Sequence, residues 1–240
     1  MAGVSPGAVM PQIAVVSRSK NIDPSWLAFA VAACSKQVEE CAAAWGIPPV
    51  PVVLYKTSDH LPAVECRLML IVDDLGEAGM LGFHDDELGV IYGQVLAQSD
   101  ATSVTLSHEC LEELVDPTCD KWTMLPDGRR STAREVCDAV EADTYVEPVT
   151  IMGETRNIRL SNYLLPSWFQ PGGSAPFDRM GKLESGMPDC TPGGYLIIKD
   201  DLGNISSVFA SKVPERMGAK LGNPVSRTLR RFGNEGASTT

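Results

Sequence analysis

The chain of 240 residues lacks the features that mark several common classes of protein. No apolar run approaches the roughly 20 residues that a transmembrane helix needs. Residues 1–20 have neither the charged start nor the continuous apolar stretch of a secretion signal. The chain has no internal repeat and no glycine-rich loop for binding phosphate. These absences predict a soluble protein that has no membrane partner and no secretion signal and is made in a cytoplasm.

Closely paired cysteines are also missing. The seven cysteines are an odd number, and no two of them have the C-x-x-C spacing of a redox or zinc motif. Most are therefore expected to be buried thiols that pack as small apolar side chains. A disulfide that involves Cys110, Cys119 or Cys137 stays an alternative if the protein leaves the cell.

Positive charge is scarce, with 20 lysines and arginines against 31 acidic residues and a formal net charge of -11. Such a chain repels the phosphates of DNA and RNA, which argues against a specific nucleic-acid partner. The segment 211–240 is an exception, because Lys212, Arg216, Lys220, Arg227, Arg230 and Arg231 stand against Glu215 and Glu235. We expect this basic tail to suit docking on an acidic protein surface.

The distribution of apolar, glycine and proline residues divides the chain into four regions. Residues 1–20 begin with a stretch rich in Gly, Pro and Ala and are expected to be a flexible or partner-bound arm. Residues 21–165 are predicted to form the core. Residues 166–210 combine loops rich in Gly and Pro with a β-hairpin, and residues 211–240 are the basic C-terminal tail.

Helix and strand patterns predict a fold of the α/β kind, more narrowly α+β. A long amphipathic helix is predicted from Pro24, with Asp23 as its cap, to Gly46. Strands are predicted at 50–55, 66–72, 80–84 and 89–96, with an acidic turn before the last of them. Further extended segments are predicted at 134–141, 145–152, 158–165, 194–199 and 205–210. This order implies a mixed sheet with a long backing helix, followed by a loop-rich β part.

A second helix, predicted over residues 101–115, carries the motif on which the functional interpretation depends. At about 100° per residue, Val104 and Leu111 lie on one apolar stripe of this helix. His108 and Glu112 fall on or beside the same stripe. Two ionisable side chains are therefore expected to face inward.

The run His108-Glu109-Cys110-Leu111-Glu112 has the spacing H-E-x-x-E. In zinc hydrolases with H-E-x-x-H, two histidines hold the metal and the glutamate activates the attacking water. Here Glu112 stands in place of the second histidine; a carboxylate also binds zinc, although a further negative ligand favours harder cations. The alternative is an inward hydrogen bond between His108 and Glu112 beside a solvated edge formed by Glu109 and Glu113.

The residues from His108 onward follow the pattern H-E-x-x-E…D-P…W…G…E-x-x-D. Its members are His108, Glu109, Glu112, Asp116, Pro117, Trp122, Gly128, Glu135 and Asp138. Over about positions 105–140 the chain resembles zincin-like proteins related to the plant exordium (phosphate-induced) family and to bacterial relatives. Over most of its length, and especially in Ser161-Asn162-Tyr163-Leu164-Leu165-Pro166-Ser167-Trp168-Phe169, it is similar to proteins encoded by tailed bacteriophages.

The resemblance implies a zincin-like fold, in which a metal-motif helix lies beside the sheet. The strand at 89–96 would be the antiparallel edge strand that lines a cleft, where a peptide could add as an extra strand. His108 and Glu112 would bind zinc. Glu109 would act as general base on the water that attacks the substrate.

The resemblance also implies a third metal ligand from the segment after the helix. Glu135 and Asp138 are the candidates, and they could instead orient a ligand from outside the metal's own shell. Asp116 is the next candidate, although its place before a proline fits the end of a helix at least as well. His84 could reach the cleft from the sheet, but an exposed turn is the commoner place for such a histidine. His60 is expected at the surface.

Two functions from different classes follow from these features. The first is a metal-dependent hydrolase that acts on a peptide or protein substrate. The second is a structural virion component, such as a head-decoration or tail-associated protein, with a degenerate metalloprotease-like site. Its N-terminal arm and basic tail would bind other virion proteins. The protein is accordingly expected in the virion or in the host cytoplasm.

Overall fold

The computed structural model describes residues 11–57, 61, 66–77, 79–87, 89–99 and 101–210. Two α-helices and eleven strands in these residues confirm the predicted α+β class. The helices are α1 (Pro24–Trp45) and α2 (Ala101–Val115). The strands are β1 (Gln12–Ser17), β2 (Val52–Tyr55), β3 (Cys66–Val72), β4 (Gly82–Glu87), β5 (Val90–Leu96), β6 (Trp122–Met124), β7 (Ser131–Ala133), β8 (Thr144–Ile151), β9 (Glu154–Ser161), β10 (Tyr195–Lys199) and β11 (Ile205–Phe209). The predictions for residues 1–10, for His60 and for the tail at 211–240 lie outside the described residues.

A five-stranded mixed sheet in the order β2-β1-β3-β5-β4 is the base of the fold. β1 pairs in parallel with β2 and β3, β3 pairs in parallel with β5, and β4 runs antiparallel to β5. Ile13, Ala14 and Val15 of β1 are completely buried. The predicted arm over residues 1–20 is therefore wrong for residues 12–17. A short apolar run is enough for a central strand that is covered on both faces.

Helix α1 begins and ends where the sequence predicts. The side chain of Asp23 accepts a hydrogen bond from the backbone N–H of Ser25, and Pro24 occupies the first turn. The helix stops at Gly46, whose φ of 64° is a left-handed conformation that glycine adopts without a Cβ penalty. α1 packs against β2 and α2, so it backs the sheet as predicted.

The edge of the sheet lies one strand away from its predicted place. β5 is an inner strand between β3 and β4, and β4 is the edge. The predicted edge at residues 89–96 is therefore wrong. The acidic segment 85–87, predicted as a turn, instead continues β4 and pairs with β5. Asp85 and Asp86 are only partly buried and Glu87 is exposed, so these charged side chains keep contact with water in the edge strand.

Helix α2 lies between the large sheet and a hairpin formed by β8 and β9. It contacts β4 and β5, packs against α1 and also contacts β9. Glu109, Glu112 and Glu113 are all 0% exposed. A helix at the surface normally leaves one face in water, but here other elements cover that face as well. The alternative with a solvated edge at Glu109 and Glu113 is therefore wrong.

The C-terminal part contains a four-stranded sheet in the order β11-β10-β7-β6. The hairpin of β10 and β11 confirms the strands predicted at 194–199 and 205–210. The short strand predicted at 134–141 is wrong, because a 3-10 helix occupies Asp138–Val140. Consecutive side chains from Val136 to Val140 are buried there, which the alternating pattern of a half-buried strand does not allow.

The stretch from 166 to 194 is largely irregular, as predicted, but part of it belongs to the core. Trp168, Phe177 and Leu183 join the same apolar cluster as β1 and both helices.

The seven cysteines all lie within the described residues, and none forms a disulfide. Within this part of the chain, no helix is both long and apolar enough to cross a membrane.

Gly82 sets how closely β4 approaches α2. A Cβ atom at this position would lie 2.6 Å from Thr105 Cγ2 and 2.9 Å from Glu109 Oε1. Both distances are well inside the roughly 3.5 Å of an ordinary non-bonded contact. We expect Gly82→Ala to lower the free energy of unfolding by about 1–3 kcal/mol, measured by urea denaturation.

A second substitution tests whether crowding is the cause. Thr105→Ser removes the methyl group that the new Cβ would meet first, so the double variant Gly82→Ala/Thr105→Ser should recover part of the lost stability. Thr105→Ser alone serves as the control. An unchanged unfolding midpoint in Gly82→Ala would contradict the close approach of the strand and the helix.

Candidate metal centre

Six ionisable side chains from three segments of the chain meet beside α2. They are His108, Glu109 and Glu112 of α2, His84 of β4, and Glu135 and Asp138 of the segment after β7. All are shielded from water, and the most exposed is Glu135, with 13% of its side chain accessible. The structure thus brings together the predicted site residues and adds a histidine to them.

His108 faces two carboxylates with its Nε2 atom. Glu112 Oε2 lies 3.1 Å and Asp138 Oδ1 lies 3.4 Å from this nitrogen. The i,i+4 spacing on α2 accounts for the first contact, and the 3-10 helix after β7 supplies the second. Donor atoms that share a tetrahedral zinc ion, with bonds near 2.0–2.2 Å, lie about 3.3 Å apart. Of the two predicted third ligands, Asp138 is therefore the one at the right distance from His108.

The backbone after β7 holds Glu112 in place. Glu112 Oε1 accepts a hydrogen bond of 3.3 Å from the N–H of Cys137. The thiol of Cys137 in turn donates to the carbonyl oxygen of His108, at 3.8 Å. The donor atoms of His108, Glu112 and Cys137 lie within 4.8 Å of one another. Cys137 is therefore a further candidate donor at this end of the site.

His84 stands at the other end of the site. Its Nδ1 lies 3.2 Å from Glu109 Oε2 and 3.8 Å from Glu112 Oε2, and its Nε2 lies 4.0 Å from Glu135 Oε2. Only 2% of the side chain is exposed, so the expectation of an exposed turn is wrong. Strand alternation explains this position, because His84 lies on the same face of β4 as Gly82, which approaches α2.

Asp116 ends α2 and orders the turn that follows it. Its carboxylate accepts hydrogen bonds from the N–H groups of Asp120, at 3.2 Å, and Lys121, at 2.9 Å. The turn carries Cys119, whose thiol donates to the carbonyl oxygen of His84 at 3.7 Å. The structure therefore supports the helix-ending role for Asp116 and brings a cysteine to the site in its place.

Two donors near the site, Cys119 and Cys137, have no signal in the sequence, and His84 is expected there only as the less common alternative to an exposed turn. The signal for His84 is the alternation of Gly82 and His84, which becomes informative once β4 is extended through the acidic residues after it. No local pattern points to Cys119, because the reversal of the chain after α2 is what brings its thiol to β4. The contacts of His84 and Cys119 join elements that are far apart in sequence.

The two imidazoles hold protons more tightly than an isolated histidine does. Burial by itself lowers the pKa of His108, but the carboxylates around it, led by Glu112, outweigh that effect and raise the pKa well above 6.5. Burial also acts to lower the pKa of His84, and the neighbouring Cys119 and Glu109 reverse this, so that the pKa is again raised well above 6.5.

The carboxyls respond in the opposite sense to burial. Burial raises the pKa of Glu112, which His108 partly counteracts and Asp138 raises further. Burial raises the pKa of Glu135 well above 4.5, and the nearby Glu112 adds to this. Protons are thus the positive charges that this group holds by itself, and a divalent cation that binds here would displace them.

Five buried polar atoms of the group make no hydrogen bond to any of the described residues. They are His84 Nε2, His108 Nε2, Glu135 Oε2 and both carboxylate oxygens of Asp138. The contacts of His108 Nε2 with Glu112 at 3.1 Å and with Asp138 at 3.4 Å are ion-pair contacts without hydrogen-bond geometry. An unsatisfied buried polar atom costs about 1–3 kcal/mol, so an arrangement of this kind needs an additional partner. Imidazole nitrogens and carboxylate oxygens are common ligands of divalent cations. The cluster could therefore hold a metal ion.

In comparisons with protein-family models, with curated proteins and with solved structures, the chain finds no match of any of the three kinds. The function is therefore inferred from the geometry of the six side chains. The zincin-like and phage-type resemblance stays an expectation drawn from the sequence.

Glu113 of α2 is a buried carboxyl on the helix that carries the site. Neither of its carboxylate oxygens makes a hydrogen bond to a described residue. Burial raises its pKa from 4.5 to about 7, an effect that the positive charges of His84 and Arg67 reduce. Between pH 4.5 and about 7, Glu113 is therefore protonated in the folded protein and ionised in the unfolded chain.

This difference makes stability depend on pH. The contribution of Glu113 to the free energy of unfolding is fully present below pH 4.5 and is lost as the pH rises through about 7. Over this range the free energy of unfolding decreases by about 3 kcal/mol. In chelator, the free energy of unfolding of wild type relative to Glu113→Gln should fall by this amount between pH 4.5 and 7.5. Glu39→Gln, at an exposed position of α1, controls for the loss of a surface charge. Parallel pH profiles of wild type and Glu113→Gln would rule out the raised pKa.

Proposed function

We propose that the chain is a zincin-like protein that binds a divalent metal ion, with zinc as the first candidate, and hydrolyses peptide bonds. The observation that supports this proposal is the approach of two carboxylates to one imidazole nitrogen. Glu112 Oε2 and Asp138 Oδ1 lie 3.1 Å and 3.4 Å from His108 Nε2, in a buried site. Three protein ligands with a position left for water or substrate are the usual donor number of a catalytic zinc site.

The donor types favour a divalent cation and leave the choice of metal to experiment. One imidazole and two carboxylates bind zinc, and they also suit harder ions such as manganese. Cys137, whose thiol lies near His108 and Glu112, would shift the preference toward zinc if it joined the ligands.

Glu109 is the candidate general base. It follows the ligand His108 directly in sequence, and its Oε2 is held at 3.2 Å from His84 Nδ1. A bound zinc ion would supply the Lewis acidity that makes water a nucleophile near neutral pH. Glu109 would accept the proton of the attacking water, and His84 would keep the carboxylate in position. A peptide that added to the edge strand β4 would run beside His84.

The closed surroundings of the site favour a second candidate function. None of the six side chains exceeds the 13% exposure of Glu135, whereas a catalytic site has to admit its substrate and a structural metal site does not. In this role the chain would be a structural virion component of a tailed phage with a degenerate site. The metal ion, or protons shared between His108 and the carboxylates, would then stabilise the contact of α2 with the segment after β7.

Metal content tests the ligands. The full chain and its variants are demetallated, reloaded with zinc and dialysed, and their zinc content is measured by elemental analysis. His108→Gln and Glu112→Gln should each bind one zinc per chain fewer than wild type. Asp138→Asn should weaken binding at the same site by at least about tenfold. Glu39→Gln on α1 is the matched control for loss of a carboxylate. Equal zinc content in all these variants would refute the ligand assignment.

Peptide cleavage tests the chemistry separately from binding. Glu109→Gln should retain the ion at His108 and lower kcat by about 100-fold or more, because it removes the proton acceptor and keeps the size of the side chain. The assay uses an unstructured polypeptide, with chelator as the blank. Full activity in Glu109→Gln would exclude Glu109 as the base. A zinc-loaded wild type that cleaves nothing would favour the structural role, which mass spectrometry of purified virions can then test.

A further inference from the structure

The two ring nitrogens of His84 are in different situations. Nδ1 lies at hydrogen-bond distance, 3.2 Å, from Glu109 Oε2. Nε2 makes no hydrogen bond to any residue in the described part of the chain, although only 2% of the side chain is exposed. A metal-binding histidine commonly donates the N–H of its other nitrogen to a carboxylate, which fixes the ring. His84 thus has the arrangement of a ligand whose metal-facing atom is Nε2.

Two further donors stand on the Nε2 side of this ring. Glu135 Oε2 lies 4.0 Å from Nε2 and, among the described residues, also has no hydrogen-bond partner. The donor atoms of His84, Cys119 and Glu135 all lie within 4.8 Å of one another. They come from β4, from the turn after α2 and from the segment after β7, so the tertiary fold assembles this group.

We propose that His84, Cys119 and Glu135 form a second cation site, separate from the one at His108. An imidazole, a thiolate and a carboxylate are the donor types of a zinc site, and the sulfur selects zinc over harder cations. The three donor atoms would have to move closer to one another by about 1 Å for each to lie at a zinc bond length of about 2.0–2.3 Å. Cys119 and Glu135 are partly buried and His84 is buried, so an entering ion would approach from the side of Cys119 and Glu135. The inference extends the proposed metal chemistry and does not depend on peptide hydrolysis.

The two imidazoles belong to different groups of donor atoms. Within the described chain, no group of three donor atoms that come within 4.8 Å of one another includes both His84 and His108. Glu112 Oε2 lies between the two rings, at 3.1 Å from His108 Nε2 and 3.8 Å from His84 Nδ1. Two divalent cations would also offset the four carboxylates that surround the imidazoles, whereas one would leave much of this buried negative charge uncompensated.

A second ion on the other side of His84 is the competing arrangement. The donor atoms of His84, Glu109 and Glu112 also lie within 4.8 Å of one another. An ion there would take the Nδ1 atom and replace its contact with Glu109, and it would leave Nε2 and Glu135 Oε2 without partners. The arrangement at Nε2 satisfies both of these atoms, so we favour it.

The backbone at Cys119 supports a built site. Its φ of 45° is in the left-handed region, which residues other than glycine seldom occupy. The turn is held in this conformation by the hydrogen bonds from Asp120 and Lys121 to the Asp116 carboxylate. Strained residues of this kind occur preferentially at functional sites. In this conformation the Cys119 thiol donates to the carbonyl oxygen of His84 on β4.

Metal counting and a thiolate-specific signal test the proposal together. Full-length protein is reduced, demetallated and loaded with zinc, and a parallel sample is loaded with cobalt. Wild type should bind two zinc ions per chain, and its cobalt form should show the near-ultraviolet absorption of a cobalt–thiolate bond. Cys119→Ser should lose one ion and this absorption. His108→Gln should lose the other ion and keep the absorption, and Cys137→Ser is the control for a thiol at the first site.

Each outcome decides between the two sites. One zinc per chain, lost in His108→Gln and unaffected by Cys119→Ser, would overturn the second site and leave the first. Two zinc ions in Cys119→Ser, with one lost in His84→Gln, would place the second ion at Nδ1 and overturn the ligands proposed here. No zinc in wild type would overturn both sites. Far-ultraviolet circular dichroism monitors folding, and Glu135→Gln, which should also lose one ion, replaces Cys119→Ser if that variant does not fold.

Discussion

The burial of α2 on all sides is the constraint on which the rest of the structure depends. The sheet lies against one side of this helix, and α1 and the β8–β9 hairpin cover others. Glu109, Glu112 and Glu113 therefore have no access to water. A buried carboxylate without a partner costs several kcal/mol. Surrounding elements supply part of the compensation: β4 places His84 against Glu109, and the backbone N–H of Cys137, after β7, donates to Glu112.

This requirement connects the fold to the chemistry of the site. Without a cation, protons offset the negative charge of the cluster. They are held by His84 and His108, and by carboxyls whose pKa burial has raised. A metal ion would replace these protons and join three segments that are distant in sequence, so binding would stabilise the folded state as well as supply chemistry. The same arrangement thus suits a hydrolase and a structural protein. What separates the two functions is whether a substrate can reach a site that is closed in this conformation.

The fold was predictable where the signals are local. Asp23 and Gly46 mark the ends of α1, because capping depends only on neighbouring residues. The same reasoning fails for β1 and for the sheet edge. A short apolar run such as residues 12–17 does not reveal whether it lies at the centre of a sheet, and an acidic segment such as 85–87 can be a turn or an edge strand. Strand order is a property of long-range pairing, which a linear pattern does not encode directly.

The sequence by itself determined that His108 and Glu112 share the inward face of one helix, since the period of 3.6 residues places side chains four apart together. The family resemblance pointed to the segment after β7 as the source of a third candidate ligand. Only the tertiary structure decided that Asp138 lies beside His108 and that His84 and Cys119 lie together at the other end of the cluster. Those contacts depend on which face of β4 meets α2 and on how the chain reverses after the helix. The physical reason is that packing between distant elements, rather than local conformational preference, sets these distances.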